Sequence, residues 1–233
     1  MSNLTATLQG ILDWLTVNAP DRAGSLSTSG LSRQQIDELL NKSELNINIT
    51  EDVYELYQWR NGALGQGFSF LQFLIFYPLE ESIIESTRIE EIFIDPEPDR
   101  FPADIGLILF SYDSYFFFTV SCQHNRSYSE LWVYDIKSYW YPFLCYKSLS
   151  SFFSTILECY TTQAYYLNEY RSWKADRKKI YNTFRKHNPT IMGLQLNTTP
   201  IIWLLIREIN PVAGILYLGK SLNDQLESFL ILW

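Results

Sequence analysis

The sequence is poor in the side chains that most often do acid–base and nucleophilic chemistry. Its 233 residues include two histidines, His124 and His187, and three cysteines, Cys122, Cys145 and Cys159. So little imidazole leaves general-base chemistry near neutral pH without its usual carrier. Three widely spaced cysteines make neither a disulfide framework nor a zinc knuckle, and they suit a reducing compartment. No nucleophile elbow, P-loop, zinc-protease helix or Cys-x-x-Cys pair occurs. Basic residues are also outnumbered: 18 Lys and Arg against 26 Asp and Glu give a net charge of -8. That balance disfavours a phosphate-backbone ligand and favours a basic partner, so nucleic-acid binding is not expected. The most apolar late stretch, Pro200 to Leu218, is interrupted by Arg207, Glu208 and Pro211, and no membrane span is expected. The opening Met1 to Thr7 lacks a charged leader and a small-residue cleavage site, which predicts a cytoplasmic protein.

Aromatic residues, by contrast, are abundant. They make up 16% of the chain, within 47% hydrophobic residues overall, which is enough apolar surface for one main folded domain and too much for disorder. Leu4, Leu8, Ile11, Leu12 and Leu15 repeat at helical spacing, predicting an amphipathic helix that stops near Pro20. A Gly/Ser-rich connection over 24–30 follows. Ser32 and Gln35 have capping-box spacing ahead of Ile36, Leu39 and Leu40. Thr50 is placed to cap a third helix carrying Val53, Leu56 and Tyr57, with a left-handed exit at Asn61-Gly62.

Beyond Gly62 the period shortens. Phe68, Phe70 and the run 73–77 predict strands, and Leu79 to Phe93 predicts a helix with Ile83, Ile84 and Thr87 inward. Strands are expected over 105–110, 115–120, 131–136 and 139–146, with Ser111 to Ser114 as a turn. Short connections between them imply antiparallel neighbours. Ser148 is placed to cap a last core helix with Phe152, Phe153, Ile156, Leu157 and Tyr160. The expected class is α+β, a curved antiparallel sheet flanked by helices. Charge divides unevenly along this order: residues 1–168 hold 21 acids and 9 bases, whereas 169–189 hold 7 bases and 2 acids. Over 171–187 Trp173, Ile180, Tyr181 and Phe184 fall on one helical face, predicting a basic amphipathic helix whose favoured reading is docking on the domain, with contact to anionic lipid or nucleic acid as the alternative. The expected organisation is a helix and linker over 1–26, the α+β domain over 27–168, the basic helix over 169–192 and an apolar extension over 193–233.

Several features invite a chemical reading and favour a plainer one. Cys122 beside His124 lacks the orienting third group that a thiol–imidazole pair needs, so a solvated turn is the better reading. Gly62, Gly65 and Gly67 follow a helix and precede a strand, the reverse of a phosphate-binding loop. Nine acids between Glu80 and Asp104 face two bases, but their irregular spacing does not suit a Ca²⁺ loop. They read first as a solvated face and second as a surface for a basic protein. His187, ahead of Asn188-Pro189, reads as a cation at a helix end.

The segment Ile49-Thr-Glu-Asp-Val-Tyr-Glu-Leu-Tyr-Gln-Trp-Arg-Asn-Gly62 resembles the signature of the SUKH superfamily, which includes fungal cell-wall-assembly regulators and bacterial immunity proteins. Phe76 to Ser82, Phe101 to Gly106, Leu131 to Asp135 and Ser148 to Phe153 match in the same order, spanning about residues 27–168. Where many members carry Gly-Asp, this chain has Ser111-Tyr-Asp113-Ser, so Asp113 alone carries over. The resemblance implies binding and no catalysis: neutralisation of a cognate toxin, with a scaffold or regulator of envelope assembly as the alternative. Tyr112 and Asp113 in the hairpin and Glu80 and Glu81 before the helix are the expected partner contacts, against a basic toxin domain. Trp59 and Asn61 are expected to hold the helix-to-sheet junction. No catalytic residue, metal or cofactor is expected.

Overall fold

The computed structural model describes residues 2–27, 29–45, 47–64, 70–71, 74–93, 106–112, 116–120, 128–135 and 143–191. Helix α1 (Asn3–Asn18) forms where its apolar residues predict it. Ser2 accepts the N–H of Thr5 at 3.1 Å, and Leu4, Leu8, Ile11 and Leu15 make the buried stripe. A short helix not expected from the sequence, α2 (Pro20–Ser25), follows and runs into the expected connection over 24–30; it starts with proline at its first turn, where the missing N–H costs nothing. Helix α3 (Arg33–Lys42) has the full capping box, with Ser32 and Gln35 satisfying each other's backbone N–H. Helix α4 (Glu51–Trp59) starts after Thr50 without a cap from that side chain; the Thr50 hydroxyl instead bonds Asp52 and Ser129.

Among the described residues five strands then form a meander of order β1-β2-β3-β4-β5, each pair antiparallel. They are β1 (Leu74–Phe76), then, beyond helix α5 (Leu79–Phe93), β2 (Leu107–Tyr112), β3 (Phe116–Val120), β4 (Leu131–Asp135) and β5 (Phe143–Tyr146). Helices with an antiparallel sheet make the fold α+β. The predicted turn at Ser111 to Ser114 begins later than expected, because Ser111 and Tyr112 extend β2 and pair with Phe117 and Phe116. Among the described residues of the predicted early strands, Leu74–Phe76 is strand, and Phe70 is buried outside it. Phe68, Phe73, Cys122, His124, Gly65, Gly67 and Asp113, with the extension from 193, lie outside the described residues.

Helix α6 (Leu149–Thr161) has the Ser148 cap, paired reciprocally with Ser151. The basic stretch differs from its expectation. Residues Trp173–Ala175 form strand β7, paired with β6 (Tyr165–Leu167), and the helix α7 starts only at Arg177 (Arg177–His187). Trp173 leaves the helical face because it stacks on Tyr165, with ring centroids 4.5 Å apart and planes within 10°. Tyr160 in turn stacks on Trp14 at 4.1 Å, so the hairpin closes over an aromatic column shared with α1 and α6.

The two faces of the sheet are sorted by alternation. Leu107, Phe118, Val120, Leu131 and Val133 face a large cluster built with α1, α4, α6 and α7. Ile108, Phe117 and Tyr134 point the other way and pack with Ile89 of α5. A bulge between Ile108 and Phe110 puts Leu109 and Phe110 together in the larger cluster, where strict alternation would have turned one of them out. Around Phe110 the rings of Phe70, Phe76, Phe152 and Phe153 pack at 5.3–6.1 Å, each pair worth about 0.5–1.5 kcal/mol beyond its burial. Ile180 and Phe184 of α7 and Leu4 to Leu15 of α1 belong to the same buried cluster, so the basic helix docks by its apolar face, as expected.

Candidate interaction surface

Helix α5 is aimed by the exit of α4. Gly62 has φ +76°, and a Cβ built there would lie 2.2 Å from the Pro78 nitrogen, so this crossing needs glycine. Asn61 places its side-chain oxygen 2.9 Å from the N–H of Leu79 and so caps α5, while the Tyr57 hydroxyl donates to the Tyr77 carbonyl at 3.3 Å. Trp59 packs on Phe70 with ring centroids 6.1 Å apart. Trp59 and Asn61 therefore sit at the helix-to-sheet junction. The residues of the Ile49 to Gly62 segment that carried the family resemblance act here as the joint between α4, β1 and α5.

Which side of α5 meets the sheet is set by two serines. Ser82 donates to the carbonyl of Ile108, and Ser86, one turn later, accepts the Ile108 N–H at 2.9 Å. Both serines are fully buried. Strand β1 has ended by this point, its last link being Tyr77 N–H to the Leu109 carbonyl at 3.0 Å, so the serines satisfy the β2 backbone where no strand reaches it. The inward face of α5 is thus Leu79, Ser82, Ser86 and Ile89. This corrects the expected inward set: Ile83 is partly buried against the main cluster, Thr87 is half-buried, and Ile84 is 63% exposed.

The outward face consequently groups Glu80, Glu81, Ile84 and Arg88, at spacings of three and four residues. Glu80 and Glu81 are exposed in the first turn, where negative charge is favoured by the helix dipole. Asn61 also donates to Glu80 at 3.4 Å. Arg88 is paired with Glu85 at 2.6 Å. Burial raises the pKa of the half-buried Tyr77 hydroxyl, whose residue packs on the Ile89–Ile108 cluster between α5 and the sheet. The expected contacts do not all converge. Tyr112 pairs with Leu74, where β1 starts, whereas Glu80 and Glu81 follow its other end; Asp113 lies outside the described residues. The exposed Ile84 was missed because hydropathy alone turned it inward. The Ser82/Ser86 repeat was the available signal, since small hydroxyls at that spacing suit close approach to a strand.

A second polar cluster lies on α3 and α4. Arg33 pairs with Glu51 at 2.8 Å and stacks over the Tyr54 ring at 3.9 Å, and Tyr54 donates to Asp37 at 2.5 Å. Partial burial, with the Asp37 carboxylate beside it, pushes the Tyr54 pKa up to about 12. These groups satisfy one another and leave no reactive member. Among the described residues no group of His, Cys, Asp and Glu has metal-site geometry, and no helix is long and apolar enough to cross a membrane. No protein-family model matches the chain, and no curated protein matches it at a significant level.

Proposed function

We propose that this chain is a non-catalytic, cytoplasmic protein-binding domain of SUKH type, an immunity protein that occludes the surface of a cognate basic toxin. The observation that carries the reading is the exposed Ile84 set among Glu80 and Glu81 on α5. A lone apolar side chain on a surface is ordinary; one framed by carboxylates on a rigid, capped helix suits a basic partner with an apolar anchor point. The acids steer the encounter and select the partner, while the apolar contact slows dissociation.

The test is co-purification and protection against basic toxin domains encoded beside this gene. Binding should fall at least about a hundredfold when Ile84→Glu is combined with Glu80→Lys and Glu81→Lys. If no neighbouring reading frame yields a bound or neutralised toxin, immunity is wrong, and regulation of envelope assembly takes its place as the reading to test.

A further inference from the structure

Hairpin β6–β7 and the first turn of α7 carry a surface opposite in character to α5. Tyr166 and Lys174 are direct cross-strand partners, both exposed, on the face turned away from the Tyr165–Trp173 stack. The connecting turn is held by Asn168, whose side-chain oxygen accepts the N–H groups of Tyr170 and Ser172 at 3.0 and 2.9 Å. This fixed turn presents Tyr170, 79% exposed, next to Arg171. Arg171 itself has φ +56°, a left-handed conformation that glycine adopts freely and arginine does not. Arg177 and Lys178 follow, also exposed. Arg171, Lys174, Arg177 and Lys178 take part in none of the ion pairs among the described residues, and Asp176 is engaged in capping α7 through the Lys179 N–H at 3.0 Å.

From this arrangement we infer that the hairpin face is a docking site for an anionic lipid bilayer. Four cations that form no ion pair among the described residues supply the attraction, outweighing the single exposed carboxylate of Glu169 in the turn, and two exposed tyrosines supply rings with a polar tip that suit the headgroup boundary. The helix does not insert, because Ile180 and Phe184 are already buried in the core. The charge distribution favours a flat surface over an extended polyanion. Residues 1–168 carry 21 acids against 9 bases, so a nucleic acid running past the patch would meet the acidic body. A bilayer meets one face at a time, and charges more than about 8 Å away from it are largely screened. This inference stands apart from the α5 reading and survives its failure.

The test is co-sedimentation of the full chain with phosphatidylcholine vesicles, with and without phosphatidylglycerol, and with a dT oligonucleotide as competitor. Binding should require phosphatidylglycerol, disappear at high salt and weaken about fivefold for each cation removed in Lys174→Gln, Arg177→Gln and Lys178→Gln. Tyr166→Ser with Tyr170→Ser should lower it without changing its salt dependence. Arg171→Gly separates folding from docking: it relieves the left-handed strain, so thermal stability should hold or rise while vesicle binding drops about fivefold. Absence of vesicle binding, equal binding to pure phosphatidylcholine, indifference to the charge substitutions, or binding to the oligonucleotide in preference to vesicles each overturns the inference.

Discussion

Ser86 accepts the backbone N–H of Ile108 at 2.9 Å while donating its own hydroxyl hydrogen to the Ser82 carbonyl at 2.7 Å, so a helix side chain stands in for a missing strand neighbour. Ser86→Ala would leave the Ile108 N–H buried without a partner, costing about 1–3 kcal/mol, and Ser82→Ala would do the same to the Ile108 carbonyl. Urea unfolding of both single variants and the double variant checks this. Because the two serines serve one residue, the double variant should fall short of additivity.

Asn188 is fully buried just past α7, where its side-chain oxygen accepts from the Lys147 N–H at 3.3 Å and the Ser151 hydroxyl at 2.8 Å. Its amide donates to the Phe184 carbonyl at 3.2 Å. One side chain therefore ties the end of α7 to the β5–α6 junction. Asn188→Ala should destabilise by about 2–4 kcal/mol, with faster amide exchange in α7 than in α1.

Two glycines make opposite predictions. At Gly62 a methyl group meets the Pro78 backbone in a left-handed conformation, so Gly62→Ala should cost about 2–6 kcal/mol from strain and overpacking together. At Gly24, inside α2 with nothing within 4 Å of a built Cβ, Gly24→Ala should stabilise by about 0.5–1 kcal/mol. Thermal melts of the two variants should shift in opposite directions.

Glu158 on α6 holds Lys186 at 2.6 Å and His187 at 2.8 Å on α7. Partial burial opposes its ionisation, but these hydrogen bonds and charges outweigh it and lower the carboxyl pKa. A lowered carboxylate contributes stability that is complete above its unfolded-state pKa and lost as pH falls through the folded value. The pair is partly solvated, so the contribution is below about 1 kcal/mol. Glu158→Gln should make the acid limb of the stability profile shallower by less than about 1 kcal/mol, read from urea unfolding at a series of acidic pH values.

Burial, with Glu158 nearby, pushes the Cys159 thiol up to about 12, and burial raises Cys145 well above the ordinary thiol range. The thiolate, the form that reacts, is thus strongly disfavoured at both sites near neutral pH. In a Cys122→Ser background, labelling with a thiol reagent should therefore follow global unfolding. Rapid labelling of either cysteine in the native protein would contradict this packing.

Local chemistry was enough to place most elements of this fold. Apolar spacing gave the stripes of α1 and α6, and a side chain able to bond its own helix start marked Ser32 and Ser148 as caps, because both effects act within a few residues. What needed the tertiary structure was every choice settled by a distant partner. Hydropathy turned Ile84 inward, yet the open backbone of Ile108 selects Ser82 and Ser86, since satisfying a buried amide outweighs burying one more aliphatic side chain. Trp173 fitted a helical face until Tyr165 and the pairing of β6 with β7 drew it into a strand. Short apolar patterns suit either period, and the contact that decides between them lies elsewhere in the chain.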